Sequence, residues 1–287
     1  MTGRGLERVP AWALLVMAVV SIQVGSALAV LLFPTYGTMG TLFLRMALGG
    51  AILCFAYRRS LTAAIRREPL GILALGIVMA GQSLLHYESI LRLPLGVAVA
   101  ISFVGPLGLA LATSRRAGDV LCVLLAAGGI ALLTPDIGGD LNPVGVACAA
   151  ASAAGWAAYI LLCKRLANRL EGGVGLALTM ATAALLLLPF AGAGAVTAAV
   201  TYPETILTLL GVALFSGALP MLFEYLALRT LTPTVYGVLV SLEPVVATLT
   251  GMIVLGETLG WRAWGAVALI SIASAGVALL GRRRGVR

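Results

Sequence analysis

The stretch AWALLVMAVVSIQVGSALAVLLF, residues Ala11–Phe33, decides the fold because it contains no charged side chain. About 20 consecutive apolar residues cross the hydrocarbon core of a bilayer as a helix. The rest of the chain is similar. Of 287 residues, 61% are hydrophobic and 10% are charged, whereas about 25% of a soluble domain is charged. The sequence therefore predicts an all-α polytopic membrane protein, since open strands leave backbone groups unsatisfied in lipid.

Ten apolar stretches are long enough to be membrane spans. The predicted spans 1 to 10 are Ala11–Phe33, Thr38–Tyr57, Leu70–Leu91, Pro94–Ala112, Asp119–Thr134, Val144–Cys163, Val174–Ala193, Glu204–Leu228, Thr234–Leu255 and Trp261–Gly281. Arg4 and Arg8 precede span 1, as basic residues precede a signal peptide. Span 1 is longer than a signal core and no A-x-A site follows promptly, so we expect a retained helix.

The basic residues between the spans predict the orientation. With the N-terminus inside, the outer loops hold only Arg92 and Arg262, and Arg45 lies within a span. The cytoplasmic segments then hold sixteen basic residues: Arg4, Arg8, Arg58, Arg59, Arg66, Arg67, Arg115, Arg116, Lys164, Arg165, Arg169, Arg229, Arg282, Arg283, Arg284 and Arg287. The positive-inside rule therefore predicts cytoplasmic N- and C-termini and an even number of spans.

The two halves of the chain resemble each other in sequence. Residues 21–25 are similar to 151–155 and residues 129–133 to 276–280, and Pro106 in span 4 matches Pro244 in span 9. These matches predict two five-helix repeats, residues 11–134 and 144–281, with short tails at 1–10 and 282–287. Because five is odd, the second repeat must enter the membrane from the opposite side. Inverted repeats of this kind are typical of secondary transporters.

Several function classes are disfavoured by composition. The net charge of +8 comes from loop residues, and no RNA-binding signature accompanies it, so no nucleic-acid partner is expected. The four cysteines lie in apolar runs without a C-x-x-C pair, and the chain has one histidine. These features predict neither a metal site nor another cofactor. A phosphate-binding G-x-x-x-x-G-K-[ST] loop is absent from the sequence, which argues against ATP hydrolysis.

Ionisable residues within spans are the leading site candidates, because a charge at the bilayer centre costs at least ~2.5–3.5 kcal/mol. Arg45 lies near the middle of span 2, where it could bind a substrate carboxylate, balance an internal acid or form a structural ion pair. Glu243 is predicted in the middle of span 9. Pro244 follows it and is expected to kink that helix, as Pro106 is in span 4.

Other polar residues are weaker candidates for the substrate and proton pathway. Glu224 and Glu88 lie near span ends, where either could reach water. His86 could couple to protons, although a lone histidine is more often structural. Glu257 is expected to cap the short turn that follows it. Neutral hydrogen-bonding groups within the spans come from Gln23, Gln82 and Ser102.

A family resemblance rests on motifs spread along the chain. They are SIQVGSALA (21–29), LRMALG (44–49), LPLGVAVA (93–100), FVGPL (103–107), SRR (114–116), SLEP (241–244) and LGETL (255–259). The chain resembles the EamA family of the drug/metabolite transporter superfamily, and within it the threonine/homoserine exporter (RhtA-type) group. The resemblance implies a ten-helix exporter of amino acids or related metabolites in the bacterial inner membrane. It also implies that an ion gradient drives export, and we expect this to be a proton gradient.

One departure from the group pattern concerns acidic residues. In the group, an acidic residue usually precedes F-x-G-P-L in span 4, and this chain has Ser102 at that position. In span 3 the group usually has an apolar residue at the position where this chain has Glu88. The principal hypothesis is a secondary exporter of amino acids, whose partners are a small-molecule substrate, protons and the lipid bilayer. The alternatives are a broad-specificity drug or dye exporter and, more remotely, a membrane-embedded enzyme.

Overall fold

The computed structural model describes residues 9–112, 121, 124–126, 128–129, 132, 141–167, 169–170, 173–220, 223, 227 and 239–282. Its helices are α1 (Ala11–Ala56), α2 (Leu61–Arg67), α3 (Pro69–Ile90), α4 (Leu95–Ala112), α5 (Pro143–Ala167), α6 (Val174–Leu187), α7 (Ala193–Thr201), α8 (Ile206–Ala213), α9 (Glu243–Leu255) and α10 (Trp261–Arg282). The described part of the chain contains no β-strand, which confirms the all-α prediction there. Most of predicted span 5 lies outside the described residues.

Helix α1 contains predicted spans 1 and 2, and the chain folds back on itself at Gly37. Gly37 has φ +66° and ψ 172°, whereas helical geometry continues on both sides. Residues 25 and 45 would be about 30 Å apart in a straight helix. Both instead lie against Ser216: a Cβ on Gly25 would be 2.5 Å from its nitrogen, and Arg45 donates to its carbonyl. We call residues 11–36 the first arm and residues 38–56 the second arm.

Four helical stretches of the described chain are long and apolar enough to cross a bilayer. They are Ala11–Ala56, Pro69–Ile90, Pro143–Cys163 and Val174–Thr201. Large apolar side chains also face outward, such as Leu207 and Ile253, which are 81% and 82% exposed. Such exposure is unfavourable in water and costs nothing against lipid tails. The structure is thus that of a membrane protein, while ten spans, inverted repeats and the orientation remain predictions.

In the described residues of the second half, two π-helical turns interrupt the helices. The first π turn (Leu188–Gly192) joins α6 to α7, and it contains Pro189. Proline cannot donate the backbone bond that an α-helix requires, and the wider turn lets the helix continue to Thr201, beyond the predicted end at Ala193. The second π turn (Leu214–Ala218) follows α8.

The structure does not place Glu243 within one continuous helix: helical residues 239–240 are followed by a turn, and the helix is interrupted there. Helix α9 begins at Glu243, after a turn at residues 241–242. Pro244 consequently lies in the first turn of α9, directly after the interruption, where no backbone donor is needed. At its other end, α9 stops at Gly256, whose φ of +68° is the left-handed conformation that glycine favours. Pro106 lies inside α4, as expected from the sequence.

Small residues allow the helices to pack closely. Gly105 of α4 lies directly against the backbone of Ala153 in α5, and Gly155 of α5 lies against Gln82 of α3, where an added Cβ would be 2.8 Å from the glutamine Cβ. Helices in lipid associate through such close van der Waals contact, because lipid removes the hydrophobic drive between them. Helix α5 therefore packs tightly against both α3 and α4.

We expect Gly37→Ala to lower the stability of the protein by about 1–3 kcal/mol, because its backbone conformation is close to one that only glycine adopts readily. No atom lies within 4 Å of a Cβ built on Gly37, so the effect would come from the backbone alone. Thermal unfolding in detergent measures it. Gly81→Ala is the matched control, since its Cβ also meets open space but within regular α3. Equal melting temperatures for the two variants would contradict the prediction.

Candidate functional site

Arg45 is the centre of the candidate site. It lies on the second arm of α1 and is half-buried. Its Nη2 donates to the carbonyl of Ser216 at 3.2 Å and its Nη1 to the hydroxyl of Tyr87 at 3.4 Å. The guanidinium carbon is 5.6 Å from the centre of the Tyr87 ring, within cation–π range. All of these partners are neutral.

The guanidinium has further donor capacity at this position. Its Nε is buried and has no hydrogen-bond partner in the part of the chain that the structure describes. The ion pairs found among the described residues, Arg92–Glu88 and Arg169–Glu68, do not include Arg45. A buried charged donor without a partner is unfavourable, so a bound anion would be stabilising here.

The second π turn is held against α1 by two side-chain donors. Ser21 Oγ donates to the carbonyl of Phe215 at 2.8 Å, and Arg45 donates to the neighbouring carbonyl of Ser216. A π turn displaces carbonyls from the regular α-helical bonding pattern, which makes them available to side chains. Gly25 makes this approach possible, because a Cβ there would lie within 3 Å of the backbone of residues 215 and 216.

Sequence reasoning missed two residues of this site. Tyr87 is fully buried, and its ring lies 5.3 Å from that of Phe33 and 6.5 Å from that of His86. Ser21 belongs to the internal repeat and to the SIQVGSALA motif, and neither pattern predicts a role for its hydroxyl. Ser21 and Gly25 are four residues apart and therefore lie on one face of the first arm. This spacing was the sequence signal that Ser21 could face the same neighbouring helix as Gly25. The candidate His86 is half-buried beside Tyr87.

The neutral candidates lie in two different environments. Gln82 Nε2 donates to Ser152 Oγ at 3.5 Å, and that hydroxyl donates to the Gln82 carbonyl at 3.2 Å, so this pair joins α3 to α5. Gln23 Oε1 and Ser102 Oγ are buried without a hydrogen-bond partner among the described residues. These two groups are therefore available for a polar ligand. The hydrogen bonds of Arg45 go to Tyr87 and Ser216 rather than to either group.

The acidic candidates Glu88 and Glu243 lie on different helices. Glu88 accepts a hydrogen bond from Thr38 and pairs with Arg92 at 2.5 Å near the end of α3. Glu243 is half-buried at the first position of α9. Glu224 lies outside the described residues. No group of three or more His, Cys, Asp or Glu side chains that could hold a metal occurs within the described ranges.

Glu257 caps a helix that is distant in sequence. Both of its carboxylate oxygens accept from the backbone N–H of Leu95, at 3.0 and 2.9 Å, and Leu95 is the first residue of α4. We had expected a cap on the following turn, and the structure corrects this. Gly251 makes room, since a Cβ there would collide with the carboxylate. Burial raises the pKa of Glu257, and the Leu95 N–H opposes that rise.

We expect Gly25→Ala to lower the stability by about 1–3 kcal/mol, because the added methyl group would collide with backbone atoms of the second π turn. Separating the two elements would also lengthen the Arg45–Ser216 bond. Thermal unfolding in detergent measures the loss of stability. Gly194→Ala is the control, because no atom lies within 4 Å of its Cβ position. An unchanged melting temperature for Gly25→Ala would show that the close approach is not required.

The pH dependence of stability should reveal the burial of Glu257. Because its pKa is raised above the ordinary value of 4.5, the folded protein binds this proton more readily than the unfolded chain does. The resulting stabilisation is present below pH 4.5 and is lost as the pH rises through the higher folded pKa. The melting temperature of the wild type should therefore decline across this window relative to that of Glu257→Gln. If the difference in melting temperature between the wild type and Glu257→Gln does not vary with pH, the raised pKa of Glu257 is contradicted.

Comparison with a solved structure supports the architecture. A protein known from its crystal structure is similar over 94% of this chain and 98% of its own length, with a TM-score of 0.59 and 19% sequence identity. At that identity the similarity shows a shared fold.

Comparisons of sequence are more specific. The EamA-like transporter family matches residues 143–279. The threonine/homoserine exporter RhtA of Escherichia coli (strain K12) is 40% identical over 260 residues, covering 88% of this chain and 87% of the exporter. RhtA of Salmonella typhimurium (strain LT2) is 39% identical over 285 residues, covering 96% and 95%. The chain therefore belongs to the EamA-like transporter family, in the group of the RhtA exporters.

Proposed function

We propose that this protein is a secondary exporter of small amino acids such as threonine and homoserine, and that Arg45 binds the substrate carboxylate. The observation that carries the proposal is the guanidinium of Arg45, which is held by neutral acceptors and keeps a buried Nε without a partner in the described chain. The names of the RhtA relatives supply the substrate class.

The chemistry of Arg45 fits a carboxylate. Guanidinium binds carboxylate through two parallel hydrogen bonds, which are shorter and stronger than bonds between neutral groups. The present bonds of Arg45 to Ser216 and Tyr87 are long, at 3.2 and 3.4 Å. A substrate carboxylate can therefore replace them with a gain in hydrogen-bond strength, and Nε supplies a second donor on the edge of the same group.

We assign the substrate ammonium, or the exchanged proton, to Glu243. It lies where α9 begins after a turn, and transporters typically bind substrates and ions at such interrupted helices. Secondary polar contacts are assigned to Gln23, Gln82, His86 and Ser102. Glu88 is placed outside the proposed site, because Thr38 and Arg92 already hold its carboxylate.

The proposed mechanism is proton antiport with alternating access. Two inverted repeats would rock against each other around a site near the midplane, opening it to each side in turn. One charge moving through 100 mV contributes about 2.3 kcal/mol, which is enough to drive uphill export of a metabolite. The proposal places both termini in the cytoplasm and the chain in the inner membrane.

We expect Arg45→Ala to reduce threonine counterflow in proteoliposomes by at least about tenfold, which is the loss of one hydrogen bond to a charged group. Arg45→Lys should retain part of the activity, because it keeps the charge but not the paired donors. Arg58→Ala is the control, since Arg58 lies in the turn just beyond the second arm and stacks on the exposed Phe55.

The same assay separates the alternatives. Counterflow that persists in Arg45→Ala would remove the assigned role of Arg45. Competition by lipophilic cations, with no competition by threonine or homoserine, would indicate a drug exporter instead. In proteoliposomes that contain no trapped substrate, an imposed pH gradient that fails to drive concentrative uptake would exclude proton antiport.

A further inference from the structure

A groove lies where the ends of several helices meet. Its volume is about 460 Å³, and it is bordered by the first arm of α1, the end of α3, the start of α4 and the end of α9. The residues that line it are Val30, Leu31, Ile90, Leu91, Arg92, Leu93, Pro94, Val254, Leu255 and Glu257. Helix ends mark the level at which a membrane protein meets the lipid headgroups. The groove is thus an interfacial feature that is separate from Arg45.

The groove combines a cation, a carboxylate and an apolar wall. Arg92 uses only Nη1 in its recorded bonds to Glu88, which leaves other guanidinium donors available. Each oxygen of Glu257 accepts one bond from Leu95 and retains a second lone pair. Because Glu88 neutralises Arg92, the carboxylate of Glu257 makes the groove negative overall. A ligand that carries a donor-bearing cation is therefore favoured over an anion.

The rim of the groove is apolar and exposed. Its deeper residues Ile90 and Leu93 are each 4% exposed, whereas Leu31 and Leu91 on its rim are 51% and 48% exposed. Apolar side chains exposed at this level contact acyl chains in a bilayer. A ligand that enters from the side can thus lay a hydrocarbon chain along the rim while its polar group reaches Arg92 and Glu257.

We propose that this groove binds a phospholipid that carries a primary ammonium group, such as phosphatidylethanolamine. The ammonium donates to Glu257, the phosphate accepts from Arg92, and an acyl chain lies over Leu31 and Leu91. Phosphatidylcholine lacks N–H donors for the carboxylate, and phosphatidylglycerol adds a negative charge without a cation. The order of preference is therefore phosphatidylethanolamine over both of these lipids.

Native mass spectrometry of the full-length protein tests this preference. The protein is exposed to an equimolar mixture of phosphatidylethanolamine, phosphatidylcholine and phosphatidylglycerol in detergent, and retained adducts are counted. We expect phosphatidylethanolamine to dominate, and Glu257→Gln to reduce its excess over phosphatidylcholine about fivefold, the size of one charge-assisted contact near a surface. Glutamine keeps an acceptor for Leu95. Glu68→Gln is the matched control, because Glu68 lies at the opposite end of α3 and pairs with Arg169.

A second pair of variants tests the groove without changing its charges. Leu31→Trp should lower retention of all three lipids by filling the rim, whereas Ile77→Trp, at an exposed site within α3, should not. Equal retention of the three lipids by the wild type, or an unchanged preference in Glu257→Gln, would overturn the proposal. Displacement of the adduct by millimolar threonine would also overturn it and would assign the groove to the transported substrate.

Discussion

The positive charge of Arg45 must be solvated by the protein itself, and this requirement organises the centre of the structure. A guanidinium within an apolar helix bundle needs protein groups to satisfy its donors. The second π turn presents the Ser216 carbonyl, and Tyr87 presents a hydroxyl and an aromatic face. These neutral groups stabilise the charge without neutralising it. In the proposed site a substrate anion would therefore meet a positive charge that no carboxylate in the ion pairs of the described residues neutralises, unlike the charge in a buried ion pair.

Close packing keeps this arrangement in place. Ser21 fixes the Phe215 carbonyl, and Gly25 allows the backbone of the second π turn to approach the first arm. The fold-back at Gly37 brings the first and second arms to the same turn from two directions. Since lipid provides no hydrophobic drive between helices, such contacts between small residues are what set the position of the donors. The backbone conformation of Gly37 and the close approach at Gly25 thus determine the position of the Arg45 guanidinium.

The sequence predicted the positions of the helices far better than it predicted the contacts between them. Apolar length identifies spans because the bilayer imposes one thickness on all of them. The form of the helix interruptions was harder to predict: before Pro244 the helix is broken by a turn at residues 241–242, and Pro189 is accommodated by a π turn. Contacts such as Glu257 with Leu95 or Ser21 with Phe215 join residues 162 and 194 positions apart, and leave no local pattern. Arg45 was recognisable because a lone charge in an apolar run is costly wherever its partners lie.

Helix α9 links the proposed transport site to the interface. It begins at Glu243, to which the substrate ammonium or the proton is assigned, and ends one residue before Gly256. Its 13 residues form a rod about 20 Å long. Immediately beyond that end, Glu257 holds the first backbone N–H of α4. A movement of α9 at Glu243 must therefore either carry the start of α4 with it or break the bonds to Leu95. The bond between Glu257 and Leu95 therefore connects α9 mechanically to α4, in addition to capping α4. Through α9, a movement at the proposed transport site is transmitted to the packing of the helix ends near the membrane surface.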